Sequence, residues 1–238
     1  MKLDILAIGA HPDDVELSCG ATIAKEISLG KEVGILDLTR GELGTRGTAE
    51  IRDKEAADAA KIMGVSIREN LAFADGFFVN DKFHQLEVVK VLRKFKPDIV
   101  LCNAIDDRHL DHSKAGKLVS DACFLSGLRK IITEHKGEKQ ESWRPKFVYH
   151  YIQWKNVEPD FVVDVADFIY AKLEAVKAYK SQLYDPESNE PISPIASKNF
   201  LDSITYRARD LGRLIGKEYA EGFTVERYAA VEKLDDLI

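Results

Sequence analysis

The sequence predicts an α/β fold of Rossmann-like type, in which a mostly parallel sheet carries helices on both faces. Two observations lead to this prediction: short apolar runs alternate with segments of helical periodicity, and these segments end at a glycine or before a proline. Strands that alternate with helices form parallel sheets, and their strands are apolar because both faces are buried. The length of 238 residues suits a single domain over 1–238.

The predicted strands are short runs rich in Val, Ile and Leu. They cover 3–10, 32–39, 98–104, 147–152 and 161–166, with 69–75 as a further candidate.

The predicted helices carry apolar residues at helical spacing and end at residues that stop a helix. They cover about 15–29, which ends at Gly30, 49–63, which ends at Gly64, 84–95, which stops before Pro97, and the later segments 167–183 and 198–217. The last two are separated by the loop 184–197, which begins YDPESNEPISP and is the segment we expect to be mobile or to act as a lid.

Composition excludes several classes of protein. The formal net charge is −6 and no long block of Lys or Arg occurs, which argues against a nucleic-acid surface and against electrostatic membrane binding. The start MKLDILAIGAHPDD lacks the features of a signal peptide, and no run of about 18 apolar residues occurs, so we expect a cytoplasmic location. Cys19, Cys102 and Cys123 are widely spaced in apolar surroundings, which favours buried thiols over disulfides or a CxxC site.

Two polar clusters follow predicted strands at the point where each strand ends. HPDD (11–14) comes after the first strand, and DDRHLDH (106–112) comes shortly after the strand that contains DIVLC. Ligand sites of open parallel sheets lie beyond the carboxyl ends of the strands, near the point where the strand order reverses. We therefore expect the two clusters to meet at one edge of the sheet.

Together the two clusters supply a metal site. His11, Asp14 and His112 would form a set of two histidines and one carboxylate that leaves a position open for water, as catalytic zinc sites do. The same ligands also suit iron(II). Three further side chains are then left for chemistry and for supporting contacts: Asp13, His109 and Asp111. Each motif alone also fits a structural role, HPDD as a turn with a helix cap and HLDH as a solvated helix start.

The motif pair AHPDD (10–14) and RHLDH (108–112) resembles the PIG-L or LmbE-like family of zinc-dependent N-deacetylases, which act on N-acetylglucosamine conjugates. Longer stretches, among them GATIAKEISLGKEVGILDLTRGELGTRGT, RDKEAADAAKIMG, KPDIV, PDFVVDVADFIYAKLEAVKAYKSQ and EYAEGF, resemble the bacillithiol-biosynthesis deacetylase branch. In one respect the sequence departs from the common motif, because Val15 intervenes before Glu16, and no role is carried over to that glutamate.

Carried over residue by residue, the resemblance assigns the same three residues to the zinc ion and makes Asp13 the general base. It implies that His109, in protonated form, stabilises the oxyanion of the tetrahedral intermediate. Asp111 is then expected to orient a histidine. The resemblance also implies N-acetyl-D-glucosaminyl L-malate as the substrate and a homo-oligomer as the assembly.

Malate carries two carboxylates, which arginine binds by paired hydrogen bonds. Arg52, just after the GELGTRGT loop, matches an arginine that the family uses for substrate binding, and Arg108 adjoins the second motif. Arg46 is a weaker candidate. Lys180 and Gln182 of YKSQ are left out of the site because they also fit an amphipathic helix.

Alternatives remain open within and outside this chemistry. The substrate could be another small molecule that contains N-acetylglucosamine, or a thiol conjugate cleaved by an amidase. A Rossmann-type nucleotide-binding protein is disfavoured because GAHPDD lacks the GxGxxG glycines and its carboxylates would repel a pyrophosphate. A metal-binding protein without catalysis would not need Asp13 beside a complete ligand set.

Overall fold

The computed structural model describes residues 1–228 and 230–233. Its strands are β1 Ile5–Gly9, β2 Val33–Thr39, β3 Ile67–Phe73, β4 Ile99–Cys102, β5 Glu134–His135, β6 Glu138–Lys139, β7 Phe147–Tyr151, β8 Phe161–Asp164 and β9 Ala220–Val225. Its helices are α1 Asp14–Ser28, α2 Ala49–Met63, α3 Lys82–Phe95, α4 Leu110–Ser126, α5 Ile169–Lys177 and α6 Lys198–Leu214, with a 3₁₀ turn at Ala166–Phe168 before α5.

The main sheet has seven strands in the order β3-β2-β1-β4-β7-β9-β8. The first five strands of this order are parallel, while β9 pairs antiparallel with both β7 and β8. The predicted fold class, a mostly parallel sheet with helices, is therefore confirmed.

Side chains of β1 alternate between two cores, one on each face of the sheet. Leu6 and Ile8 pack into the core that contains apolar residues of α3 and α4. Ile5 and Ala7 pack into the core that contains residues of α1, α2 and α5. Both cores bury these side chains almost completely, which explains why the sequence of β1 is apolar at successive positions.

Local signals set the ends of several helices. The Thr48 hydroxyl accepts from the Ile51 N–H at the start of α2, and Gly64 ends that helix at φ 77°, in the left-handed region that glycine adopts without strain. Ser197 caps α6 in the same way, because its hydroxyl accepts from the Phe200 N–H at 3.1 Å.

Four parts of the fold differ from the sequence prediction. The strand β9, the helix α4 and the small antiparallel hairpin of β5 and β6 were not predicted as elements. The segment 167–183 is regular only over α5, and its last residues form turns. Among the described residues, no helix has the combination of length and apolar character that crossing a membrane requires.

Candidate active site

The site lies at the carboxyl ends of β1 and β4, where the strand order reverses. From β1 the chain passes through α1 to β2 on one side, whereas β4 pairs with the other side of β1. A cleft of about 1170 Å³ opens at this edge and is bordered by both polar clusters. The expectation that the two clusters meet at one edge is thereby confirmed.

Three histidine rings pack together at this end of the cleft. The ring centroids of His11 and His109 are 4.8 Å apart, those of His109 and His112 are 4.8 Å apart, and those of His11 and His112 are 5.5 Å apart. In the part of the chain that the structure describes, their nitrogen atoms form one of two groups whose donor atoms lie within 4.8 Å of one another. The second group joins His11 to Asp75 and Asp111.

Asp14 is the first residue of α1 and connects the two motifs. Its Oδ1 lies 3.1 Å from His112 Nε2, and its Oδ2 lies 3.5 Å from His11 Nδ1. The carboxamides of Asn103 and Gln153 donate to the same carboxylate at 2.9 and 3.0 Å. Burial alone would raise the pKa of Asp14, but the two histidines hold it well below its usual value. The carboxylate is thus kept ionised and oriented.

Asp13 behaves differently from its neighbour. It stands at the N-cap of α1 with φ 111°, a strained conformation for a residue with a side chain, and its carboxylate makes no capping hydrogen bond. The carboxylate instead accepts from Arg52 Nη2 at 3.0 Å. Burial raises the pKa of Asp13 to about 7, although the Arg52 guanidinium opposes the shift. A cap is therefore not its role, and its pKa suits proton transfer near neutral pH.

His109 is the N-cap residue of α4, and two observations favour the neutral form of its ring. Its Nδ1 accepts from the backbone N–H of Asp111 at 3.3 Å, which leaves the ring proton on Nε2. Burial and the neighbouring histidines lower its pKa. The resemblance implies a protonated ring, and the protonation state in which His109 acts stays a prediction.

The carboxylate of Asp111 contacts a histidine, as expected, and that histidine is His11 of the first motif. Its Oδ2 lies 3.3 Å from His11 Nε2 and accepts from the Gly76 N–H at 2.8 Å, while Oδ1 accepts from Lys114 Nζ at 2.7 Å. Burial would raise the pKa of this carboxyl, but these partners lower it below the ordinary value. Asp75 Oδ1 lies 3.1 Å from the same nitrogen of His11.

His112 lies between two carboxylates. Its Nε2 faces Asp14 and its Nδ1 hydrogen-bonds to Asp107. Burial opposes the charged form, but both carboxylates raise the pKa of His112 to about 9. A carboxylate on the second ring nitrogen is the arrangement that fixes the orientation of a metal-ligating histidine.

The donor set fits a divalent metal ion. Metal–ligand bonds of about 2.0–2.2 Å in tetrahedral geometry place neighbouring donor atoms roughly 3.3 Å apart. The contacts of Asp14 with His112 and His11, at 3.1 and 3.5 Å, have this spacing. Imidazole and carboxylate donors suit zinc and iron(II) alike. The assignment of these three residues as ligands stays a prediction.

The predicted arginines lie in different settings. Arg52 borders the cleft, but its guanidinium donates to the carbonyl oxygens of Pro12 and Gly41 as well as to Asp13. Arg108 is exposed in the cleft, with Cζ 4.5 Å from the ring centroid of Trp154.

Arg46 is buried away from the cleft lining, and it donates to the Leu183 carbonyl oxygen and to Ser188 Oγ at 2.9 and 2.5 Å. Substrate binding by Arg52 and Arg108 stays a prediction.

Sequence reasoning assigned no role to four residues of the site, which are Asp75, Asn103, Asp107 and Gln153. Asp75, Asn103 and Gln153 are the first polar residues after β3, β4 and β7. The rule that ligand sites lie beyond the carboxyl ends of parallel strands, which predicted His11 after β1, therefore applies to these three residues too.

Glu16 lies outside the histidine cluster. Its Oε1 accepts from Arg68 Nη1 at 2.5 Å and from the Tyr179 hydroxyl at 2.9 Å, and its side chain is fully buried. The three predicted core thiols are buried. Of the loop 184–197, residues Ser193, Pro194, Ile195 and Ser197 border the cleft, and the role of the loop as a lid stays a prediction.

Comparison with known proteins decides the family. A family model described as PIG-L: GlcNAc-PI de-N-acetylase matches residues 6–123. Diacetylchitobiose deacetylase of Thermococcus kodakarensis is 30% identical over an alignment of 230 residues, which covers 92% of this chain and 81% of that protein. The chain belongs to the PIG-L/LmbE-like deacetylase family. The resemblance inferred from the motif pair is confirmed, while the bacillithiol branch stays a prediction.

Solved structures support the same fold. The conserved protein TT1542 of Thermus thermophilus is 35% identical with a TM-score of 0.86, covering 97% of this chain and 98% of that one. A 4-carboxy-2-hydroxymuconate hydratase of Pseudomonas putida has a TM-score of 0.78 at 22% identity, covering 98% and 100%. Since that enzyme is named for a different reaction, the fold alone does not fix the chemistry, and function has to be inferred from the site.

Proposed function

We propose that this chain is a metal-dependent N-deacetylase that hydrolyses the acetamide of an N-acetylglucosamine conjugate. One observation carries the proposal: a strained, buried Asp13 that caps no helix lies beside a cluster of histidines and carboxylates at the end of a cleft. The family relationship supports it, since one relative is named for the deacetylation of diacetylchitobiose.

His11, Asp14 and His112 would hold the metal, with zinc as the proposed ion and iron(II) as the alternative. The bound ion would polarise the acetamide carbonyl and lower the pKa of a water molecule. Asn103 and Gln153 keep the Asp14 carboxylate in place by donating to its two oxygens. Such supporting contacts typically change metal affinity by about 10- to 100-fold.

Asp13 acts as the base in this proposal. Its carboxylate takes a proton from the attacking water and returns it to the nitrogen of the departing amine. The Arg52 guanidinium fixes its orientation and prevents its pKa from rising further. The His109 Nε2–H donates to the acetamide oxygen as negative charge develops there. In this proposal Asp13 transfers the proton, and His109 stabilises the developing negative charge.

The proposed substrate is N-acetyl-D-glucosaminyl L-malate in bacillithiol biosynthesis. It rests on the sequence resemblance and on the exposed Arg108 beside the histidine cluster. Another conjugate of N-acetylglucosamine, or a thiol conjugate, is the alternative. The homo-oligomer and the cytoplasmic location stay predictions, which size-exclusion chromatography and cell fractionation test.

Two adjacent variants test the mechanism. Asp13→Asn should keep its zinc and lower kcat by about 10²- to 10⁴-fold, because a proton-transfer interaction of the transition state is lost. Asp14→Asn should lose zinc affinity, and added zinc should restore part of its activity. The measurements are the zinc content of each purified protein and the release of acetate from N-acetylglucosaminyl malate as a function of zinc concentration.

The outcomes separate the competing functions. Rescue of Asp13→Asn by zinc, instead of Asp14→Asn, would reverse the two assignments. Full activity of both variants would contradict the mechanism. Stoichiometric metal without acetate release from any N-acetylglucosamine conjugate would indicate a non-catalytic metal-binding protein, whereas tight nucleotide binding without metal would indicate the Rossmann-type alternative.

A further inference from the structure

Two arginines contact Trp154, a residue that lines the cleft. Arg108 places its guanidinium carbon 4.5 Å from the centroid of the indole, which is the geometry of a cation–π contact. Arg207, on α6, donates from Nη2 to the backbone carbonyl oxygen of Trp154 at 2.9 Å. Both guanidinium groups border the same cleft as the histidine cluster.

Within residues 1–228, neither of these two guanidinium groups forms an ion pair with a carboxylate. Other arginines near the site are paired: Arg52 contacts Asp13, and Arg68 contacts Asp37. Burial lowers the pKa of Arg207, and the charge of Asp107 offsets part of this effect. A partly desolvated cation without a counter-ion costs free energy, which an anion entering the cleft would offset.

Trp154 is well placed to hold this pair of cations. It follows Gln153, whose carboxamide donates to Asp14, so the indole is one residue from a group that contacts a proposed metal ligand. The ring stacks on Phe200 of α6, with centroids 5.6 Å apart and planes 16° from parallel. This stacking fixes the orientation of the indole, and therefore also the position of the aromatic face that the Arg108 guanidinium contacts.

We propose that Arg108 and Arg207 form a subsite for a carboxylate on the group attached to the sugar, and that Trp154 is the positioning residue of this subsite. The inference rests on the proposed function, since it places the anionic part of the substrate beside the acetamide that is cleaved. Two guanidinium groups suit the two carboxylates of a malyl group, because each can form paired hydrogen bonds with a carboxylate. Arg207 and Trp154 thereby become determinants of specificity.

Binding measurements test the subsite without depending on turnover. The probes are N-acetylglucosaminyl malate and the neutral methyl N-acetylglucosaminide, titrated calorimetrically into zinc-loaded protein that also carries Asp13→Asn, so that the proposed base is absent and hydrolysis during the titration is slow. In Arg207→Gln, the ratio of the two affinities should fall roughly 10- to 100-fold, because hydrogen bonds to a charged partner are lost. Arg213→Gln is the matched control on α6, since Arg213 is exposed and pairs with Asp210; it should keep the wild-type ratio.

Two substitutions of Trp154 separate positioning from general packing. Trp154→Phe keeps an aromatic face for Arg108 and should retain most of the preference for the malyl conjugate. Trp154→Ala removes the face and should lower the ratio as Arg207→Gln does. In Arg207→Gln and in Trp154→Ala, KM for the malyl conjugate should rise while kcat changes little.

An unchanged ratio in Arg207→Gln, or a wild-type protein that binds both glycosides equally, would overturn the subsite. Equal losses of preference in Trp154→Phe and Trp154→Ala would overturn the positioning role. Failure of the proposed function has a different signature, since acetate release would then be absent for both glycosides, whatever the ratio of their affinities.

Discussion

Neutralising Glu221 should destabilise the protein far more than neutralising an equivalent ion pair on the surface. Glu221 of β9 pairs with Lys172 of α5 at 2.7 Å, and both side chains are almost fully buried, at 2% and 4% exposure. The carboxylate also accepts from the backbone N–H groups of Ala21 and Thr22 at 3.2 and 2.7 Å. These two groups follow Cys19, where α1 is interrupted by a non-helical conformation. One carboxylate thus links α5 to the part of α1 that follows the interruption.

The structure sets the size of the effect. Glu221→Gln leaves the Lys172 ammonium buried without a counter-ion, and breaking a buried pair in this way typically costs about 3–5 kcal/mol. For a chain of this length, 1 kcal/mol corresponds to roughly 2–4 °C in Tm, so Tm should fall by roughly 6–20 °C. The control is Glu174→Gln, because Glu174 pairs with Lys177 on the same helix at the same 2.7 Å but with 62% and 57% exposure. That change should cost less than about 1 kcal/mol.

Chemical and thermal denaturation of the two variants and the wild type measure the difference. Circular dichroism at several denaturant concentrations gives the free energy of unfolding, and an unchanged m value would show that the unfolding reaction is the same. Lys172→Met provides a second measure, since it leaves the carboxylate with only its two backbone donors. If Glu221→Gln costs no more than Glu174→Gln, the reasoning from the buried charge is refuted.

Three further outcomes follow from the site and its support. His112→Ala should sharply reduce both bound zinc and acetate release while circular dichroism stays native, and stoichiometric metal with near-normal turnover would exclude this residue as a ligand. Gly116→Ala should lower Tm and zinc affinity, because its new methyl would lie 2.7 Å from the Asn103 carbonyl oxygen, whereas Gly20→Ala meets neighbours only at 3.4 Å and should not. The pKa of His150 is raised to about 11, so its charge stabilises the fold fully below an unfolded pKa of about 6.5 and progressively less as the pH rises towards 11. Denaturation of His150→Gln should therefore show a larger loss at pH 6 than at pH 9.

The position of the site was predictable because it depends on two local patterns and one rule of topology. Apolar runs with helices between them give a parallel sheet, and polar residues after such runs lie at its carboxyl edge. For four strands, the first polar residue after the strand lies in the site: His11 after β1, Asp75 after β3, Asn103 after β4 and Gln153 after β7. The rule gives a wrong result for β2, because the first polar residue after that strand, Arg40, pairs with acidic residues of α2.

What the sequence did not predict depends on contacts between distant segments. The strand β9 has the sequence AEGFTV, in which a buried glutamate and a glycine weaken the strand pattern. Glu221 is tolerated there only because Lys172 and two N–H groups of α1 meet it. Likewise, the lowered pKa of His109 follows from burial and from the neighbouring histidines, which only the folded chain brings together.

The same geometry argues against the nucleotide-binding alternative on physical grounds. In a dinucleotide site the first helix after β1 offers its free N–H groups and its positive dipole to a pyrophosphate. Here Asp14 begins that helix, and its carboxylate accepts from the His11 backbone N–H at 3.0 Å. The buried carboxylates of Asp13, Asp75 and Asp111 lie in the same region and would repel a phosphate. In this chain, the edge of the sheet that another Rossmann-like protein would use to bind an anion carries buried carboxylates beside three imidazoles, which are the donor groups of the metal site proposed above.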